Sequence, residues 1–131
     1  MKLKEIIVGV KSLDQSFKEV GRVMKNIQKG HSPPAPKPEI YFVDYNAMRQ
    51  VLTTRRMELL RFIKERNPGS VYELSHMAGR DLKNVQNDVA LLERLGFIHV
   101  TRQRSPRRRT TPRMDYDELN LKITFAHAQA A

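Results

Sequence analysis

Residues 53–100 contain three short helical patterns and then a strand, and they lead directly into an arginine-rich loop. The first pattern follows Thr53, a favourable N-capping residue, and Leu52 and Met57 are spaced to form a hydrophobic staple around it. Its apolar residues recur at helical spacing, at Met57, Leu60 and Ile63. The run Asn67-Pro68-Gly69 then predicts a turn that ends the helix.

The second and third patterns have equally clear ends. Ser70 and Glu73 form a capping box, in which each side chain satisfies a backbone N–H that the first turn leaves unpaired. The predicted buried stripe of this short helix is Val71, Leu74 and Ala78, and Gly79 ends it. Asp81 caps the third helix, and Gly96 closes it in the left-handed conformation. Its stripe is Leu82, Val85, Val89 and Leu92, and a strand then starts at Phe97-Ile98-His99-Val100.

The polar face of the third helix carries side chains able to read DNA bases. The apolar stripe leaves Lys83, Asn84, Asn87 and Arg94 on the opposite side, with Gln86 on its shoulder. Amides pair with adenine, and a cation pairs with guanine or phosphate. Arg80 is expected to reach a phosphate from the preceding turn. The alternative is an ordinary solvated helix face, because exposed helix surfaces are generally polar.

The segment from Arg102 to Arg113 holds six arginines and no acid: Arg102, Arg104, Arg107, Arg108, Arg109 and Arg113. After it, Leu119, Leu121, Ile123 and Phe125 alternate with polar residues, which predicts a half-buried strand. A basic loop between two strands is a wing, whose arginines neutralise phosphates or enter a narrow minor groove. Taken alone, the loop could equally be a disordered basic segment that aids solubility. With the three helices it predicts a winged helix-turn-helix.

Charge and composition favour a nucleic acid as partner. The 131 residues carry a formal charge of +10, and residues 93–113 hold seven of the 24 cations with one acid. We expect no membrane partner, because no apolar run is long enough to span one and no helical pattern combines a cationic face with bulky anchors. The absence of cysteine excludes disulfides, thiolate metal sites and cysteine nucleophiles. The N-terminal apolar run is too short for a signal peptide, so we expect a cytoplasmic protein.

The first half of the chain predicts a β-α-β-α element. Lys2 to Val10 is typical of a strand, and Ser12 with Gln15 forms another capping box. The helix that follows has one apolar stripe and ends at Lys29-Gly30; the stripe is Leu13, Phe17, Val20, Met24 and Ile27. A proline-rich loop at 31–38 leads to a strand at Glu39–Val43 and to a short helix, capped by Asp44 or Asn46, that carries Met48, Val51 and Leu52.

This element is too small to bury its own apolar faces. It must pack against the winged domain, a second copy or another protein, and the candidate surface for a homodimer or partner is Phe17, Val20, Met24 and Ile27. The sequence therefore predicts an α+β chain in three parts: a β-α-β dimerisation or partner element at 1–44, a winged helix-turn-helix at 45–125 and a short tail at 126–131. The proline run is interpreted as a plain loop, with a docking motif as the alternative.

No constellation suited to catalysis or metal binding is present in the sequence. The four histidines, at 31, 76, 99 and 127, lie in different elements without suitably spaced ligands or triad partners. Asp115, Asp117 and Glu118 are adjacent, but a strand would send their side chains to opposite faces. We expect no enzyme activity, no metal and no cofactor.

Residues 48–100 resemble a family of predicted prokaryotic winged-helix regulators that includes TumA-type antitoxins of two-gene toxin–antitoxin operons. The sharpest part of the resemblance is the run from Gly79 through Arg80-Asp81, Asn84-Val85 and Asp88-Val89 to Leu95-Gly96. The resemblance implies sequence-specific binding to double-stranded DNA as a dimer and repression of the protein's own operon. It also implies a toxin held by the region outside the winged helix.

The sequence thus predicts a DNA-binding transcriptional regulator, specifically an autorepressing antitoxin. Two alternatives remain open at this stage: an antitoxin whose main role is toxin neutralisation, and a stand-alone repressor with no toxin. RNA is a further alternative partner, because a basic loop does not by itself distinguish A-form from B-form helices.

Overall fold

The computed structural model describes residues 2–104 and 106–125, so the expected tail at 126–131 lies outside the described residues. The chain is α+β and divides into two compact units: unit 1 comprises residues 1–5 and 51–118, and unit 2 comprises residues 6–50 and 119–131. The elements are β1 (Glu5–Val10), α1 (Leu13–Gln28), β2 (Glu39–Phe42), α2 (Tyr45–Val51), α3 (Thr54–Arg66), α4 (Val71–Ala78), α5 (Leu82–Leu95), β3 (His99–Gln103), β4 (Arg109–Arg113) and β5 (Glu118–Lys122).

The three helices of unit 1 begin and end where local chemistry requires. Thr53, Ser70 and Asp81 cap α3, α4 and α5, and each side chain accepts a hydrogen bond from the backbone N–H three residues later. The helices end at Asn67, Gly79 and Gly96, all in the left-handed conformation. These predicted ends are confirmed. The capping box of α4 differs in one detail, because the Glu73 carboxylate accepts from the N–H of Gly69 at 2.7 Å instead of that of Ser70.

The core of unit 1 lies between these helices and the residues that follow α5. Its buried apolar side chains are Leu59, Leu60, Phe62, Ile63, Val71, Leu74, Val85, Val89, Leu92, Phe97 and Ile98. The predicted stripe of α3 is partly wrong, because Met57 is 39% exposed. Leu59 and Phe62 widen the apolar arc of α3 on the side away from Met57, so the buried face is rotated relative to the prediction. Ala78 and Leu82 are half-buried.

The arginine-rich segment forms its own hairpin. β3 and β4 pair antiparallel from His99↔Arg113 to Gln103↔Arg109, so the connecting loop is 104–108. β4 is held to the α3–α4 turn by two side chains: Thr111 donates to the carbonyl of Gly69 at 2.8 Å, and Arg113 donates to that of Pro68 at 2.7 Å. We call residues 99–113 the basic hairpin.

Unit 2 contains a three-stranded sheet in the order β2-β1-β5. β1 and β2 are parallel and joined by the α1 crossover, as βαβ connectivity requires. The cap residues match the prediction: Ser12 accepts from the N–H of Gln15, and Asp44 accepts from that of Ala47. Residues 31–38 have no regular secondary structure, as their prolines predict.

The strand predicted at 119–125 is not the second strand of the basic hairpin. It is β5, it ends at Lys122, and it lies beside β1. Lys4, just before β1, holds the start of this strand, because the backbone N–H groups of Asp117 and Glu118 both donate to its carbonyl. The expected half-burial holds for Leu119, whereas Leu121 is 55%, Ile123 37% and Phe125 96% exposed.

The two units therefore differ from the expected division at residue 44. Unit 2 takes in nearly all of α2 and β5, because the sheet joins chain segments that are far apart in sequence. Within the described residues, no helix has the length and apolar character needed to cross a bilayer.

Leu92 tests the packing of unit 1. It is fully buried on the inner face of α5, and Leu92→Ala should lower the free energy of unfolding by about 2–5 kcal/mol, because it removes buried methyl groups and leaves a cavity. Arg94→Ala, two residues along on the exposed side of the same helix, is the control and should change stability by about 0.5 kcal/mol or less. Chemical denaturation followed by circular dichroism measures both, and equal effects would contradict this packing.

Candidate nucleic-acid interface

The outer side of α5 is a continuous polar surface. Val85, Val89 and Leu92 are buried on the inner side, and this orients the helix. The predicted base-reading residues, Lys83, Asn84, Gln86, Asn87 and Arg94, are all exposed, and we call them the α5 polar face. Three amides and a lysine lie in the first two turns, so hydrogen-bond donors and acceptors are concentrated near the N-terminus of the helix. Such side chains can reach the base edges of a groove.

Asp88, on the side of α5, binds two arginines. One carboxylate oxygen accepts from Nε of Arg56 at 3.0 Å, and the other accepts from Nη2 of Arg80 at 2.8 Å. Arg56 also donates to the carbonyl of Val51 at 3.0 Å. The three charged side chains are only 13–22% exposed. This network ties α5 to α3 and to the α4–α5 turn.

The network changes the role expected for Arg80. Its side chain is directed into unit 1, where it is bound to Asp88, and its Nη1 is buried without a hydrogen-bond partner among the described residues. It does not extend outward toward a phosphate, because its guanidinium group is held by the carboxylate of Asp88. Asp88 and Arg56 were not among the residues predicted from the sequence. One signal in the sequence could have indicated this network: Asp88 is an acid beside the cationic and amide-rich face of α5.

The basic hairpin is linked to α5 by an ion pair. Arg102 donates from both terminal nitrogens to the two carboxylate oxygens of Glu93, at 3.1 and 2.8 Å. These hydrogen bonds lower the pKa of Glu93 and raise that of Arg102. A carboxyl group with a lowered pKa loses its charge only when the pH falls below the usual glutamate range, so the pair is intact at neutral pH.

The predicted phosphate-binding arginines fall into two groups. Arg102 and Arg113 have partners within unit 1, in Glu93 and in the carbonyls of Pro68 and Pro112. The other four are exposed, and within residues 2–104 and 106–125 their side chains have no hydrogen-bond or ion-pair partner: Arg104, Arg107, Arg108 and Arg109. The tip of the basic hairpin therefore concentrates cations that are available to a polyanion.

A shallow cavity of about 200 Å³ lies where α5 meets the basic hairpin. Gln86, Val89 and Ala90 line it from the helix, and Val100 and Thr110 line it from the strands. The α5 polar face and the basic hairpin thus adjoin one another on unit 1. The structure brings together two groups of residues that the sequence singles out separately.

The predicted dimer or partner residues lie in unit 2, on α1. Phe17, Val20, Met24 and Ile27 are 72%, 56%, 59% and 46% exposed. Among the described residues, no cluster of three or more histidine, cysteine or acidic side chains could hold a metal ion. His99 instead contacts the exposed carboxylate of Asp115 at 3.1 Å, while His127 lies outside the described residues.

Asp88→Ala should destabilise unit 1 strongly, because it leaves two largely buried guanidinium groups without their counter-charge. The expected loss in the free energy of unfolding is about 3 kcal/mol. Asp115→Ala is the matched control: its side chain is 65% exposed, and removing an exposed pair should cost less than about 1 kcal/mol.

A triple variant, Arg56→Met, Arg80→Met and Asp88→Leu, should recover most of that stability, since apolar replacements leave no buried charge uncompensated. All three proteins are compared by urea denaturation. A loss for Asp88→Ala no larger than for Asp115→Ala would show that the network does not hold α5 in place.

A protein-family model described as HVO_A0114 matches residues 51–121. The matched stretch includes α3, α4, α5 and the basic hairpin, so it covers both parts of the candidate interface. The description is a label and names no activity. No curated protein and no solved structure shows a significant match to the chain.

Proposed function

We propose that this chain, which belongs to the HVO_A0114 family, is a sequence-specific DNA-binding transcriptional regulator whose unit 1 acts as a winged helix-turn-helix. The observation that carries the proposal is that unit 1 holds both the α5 polar face, whose Gln86 lines a cavity with the strands of the basic hairpin, and four exposed arginines at the hairpin tip that have no hydrogen-bond or ion-pair partner among the described residues. In this proposal α5 enters the major groove, and the basic hairpin lies along the flanking phosphates as the wing.

The two surfaces have different tasks. Asn84 and Asn87 read base edges, because an amide forms a bidentate pair with adenine. The hairpin tip supplies affinity for any sequence, because arginine–phosphate contacts carry no base information. Arg102 contributes mainly by holding the hairpin against Glu93, and Asp88 by fixing α5. No catalytic step, metal or cofactor is involved, and the protein would act in the cytoplasm on double-stranded DNA.

An autorepressing antitoxin is the specific form of regulator that we favour, and unit 2 is the reason. Only four large apolar side chains of its described part are buried, namely Ile6, Val8, Phe42 and Met48, whereas five of the six on α1 are exposed. DNA binding by unit 1 does not require an exposed apolar stripe on α1. Co-expression with the product of the adjacent small gene tests whether the chain neutralises a toxin. Co-purification together with rescued growth would support the antitoxin. If neither is observed, the stand-alone repressor remains.

Asn84→Ala and Asn87→Ala should each weaken binding to the operator by on the order of 1–3 kcal/mol and leave binding to random DNA nearly unchanged. The operator is first selected from random duplexes, and affinities are then measured by fluorescence anisotropy at fixed salt. Asn46→Ala, an exposed asparagine of unit 2, is the control. Equal losses on operator and random DNA would refute base reading by α5, and preference for duplex RNA would favour the RNA alternative.

The triple variant Arg107→Ala, Arg108→Ala and Arg109→Ala should weaken binding to operator and random DNA alike. The slope of log affinity against log salt should flatten by about 0.9 for each phosphate that the variant no longer neutralises. The variant Arg55→Ala, Arg61→Ala and Arg66→Ala removes the same charge from exposed positions of α3 and is the matched control. If it flattens the slope as much, net charge and not the hairpin determines binding.

A further inference from the structure

The apolar stripe of α1 is uncovered along its whole length. Its five residues are between 46% and 72% exposed, and no residue of the 16-residue helix is buried: Leu13, Phe17, Val20, Met24 and Ile27. Stripes of this kind normally face a core, because burying large apolar side chains is the main gain of helix packing. The exposure therefore indicates a surface that another molecule covers.

α1 uses a different side for its contacts within the chain. Its half-buried residues are Gln15, Ser16, Glu19 and Val23, and Glu19 forms an ion pair with Lys11 at 2.7 Å. At about 100° per residue, the centre of this side lies roughly 100° around the helix from the centre of the stripe. The stripe is thus a separate face, and α1 does not have to turn in order to expose it.

The spacing of the stripe is that of a coiled coil. Successive residues are four, three, four and three positions apart, which averages 3.5 and keeps one seam facing a partner helix over two heptads. The positions that flank this seam are Asp14, Ser16, Gly21, Val23 and Gln28, with a single charge among them. Gly21 has no neighbouring atom within 4 Å, so the backbone of a partner helix has room for close approach there.

We propose that α1 pairs with α1 of a second copy of this chain, in antiparallel orientation. The stripe is self-complementary, as a two-fold interface requires. Asp14, which pairs with Lys18 of its own helix at 3.2 Å, lies in the first turn of α1, and Lys25 lies in the last turn. An antiparallel pair therefore brings opposite helix dipoles together at both ends, with the acid-bearing end of one helix beside the Lys25 end of the other. A parallel pair would bring like ends together.

The biological role of this pairing rests on the proposed function. A dimer would present two α5 polar faces to two half-sites in fixed register. The interface itself does not depend on DNA. Its tests are made without DNA, so a failure of DNA binding would leave the dimer standing, and a monomer would leave DNA binding by unit 1 standing.

The first experiment is the molar mass of the full chain by light scattering and sedimentation at tens of micromolar. The expected mass is twice the chain mass of 15.2 kDa. Val20→Glu, at the centre of the stripe, should give a monomer with unchanged helix content, because Val20 is already 56% exposed. Arg22→Glu changes the charge more, on the opposite side of α1, and should remain a dimer. A monomeric parent chain, or a dimer that survives Val20→Glu, overturns the proposal.

The second experiment measures the orientation. The chain has no cysteine, so a single introduced cysteine carries one spin label per copy. In an antiparallel pair, labels at Leu13→Cys lie at opposite ends, with backbones on the order of 20–25 Å apart along the axis at 1.5 Å per residue. Labels at Ile27→Cys are similarly far apart, and labels at Val20→Cys are close. Short distances at all three positions would identify a parallel pair and overturn the proposed geometry.

Two other partners could cover the α1 stripe, and each would give a different experimental result. The first is an anionic membrane surface, which the sequence was not expected to favour: Lys18, Arg22 and Lys25 lie on the side of α1 away from the apolar stripe. Binding of a monomeric parent chain to vesicles that contain one third phosphatidylglycerol, abolished in Val20→Glu, would overturn the dimer in favour of lipid. A monomer that forms a one-to-one complex with the product of the adjacent gene, again abolished in Val20→Glu, would overturn it in favour of a toxin.

Discussion

Unit 1 depends on the carboxylate of Asp88, which holds Arg56 of α3 and Arg80 of the α4–α5 turn while it sits on α5 itself. A buried carboxylate between two guanidinium groups is stabilising only when all three remain together, because each alone would be a buried charge without compensation. The orientation of α5 is therefore set by charge as well as by packing. In the proposed function, the amides of the α5 polar face depend on that orientation.

The basic hairpin is placed by a second set of contacts. Thr111 and Arg113 fasten β4 to the carbonyls of Gly69 and Pro68, while Arg102 fastens β3 to Glu93 of α5. These contacts involve the two strands of the hairpin, and the tip arginines have no such partner among the described residues. Arginines of one short segment therefore have two roles in the proposed function: Arg102 and Arg113 fix the position of the hairpin, and those at the tip are left for phosphate.

The strand that follows the basic hairpin belongs to the other sheet. Asp117 and Glu118 donate to the carbonyl of Lys4 at the start of β1, and β5 lies beside β1 in the sheet of unit 2. The large apolar side chains of that sheet are mostly buried or half-buried, whereas five of the six on α1 are exposed. A coiled-coil seam on α1 resolves this, since a second copy would cover the stripe and provide the symmetry that reading two half-sites requires.

Local signals in the sequence were sufficient for the ends of the helices. Thr53, Ser70 and Asp81 cap as predicted, and Asn67, Gly79 and Gly96 close the helices, because capping is a matter of a few adjacent residues. The exposure of the α5 polar face followed in the same way from the spacing of Val85, Val89 and Leu92. Three other features did not follow from local spacing: the partner of β5, the inward direction of Arg80 and the solvent exposure of the α1 stripe. Each depends on residues distant in the chain: strand alternation does not name a partner strand, a guanidinium is drawn to whichever carboxylate the fold brings near, and an apolar stripe does not say whether its own chain will cover it.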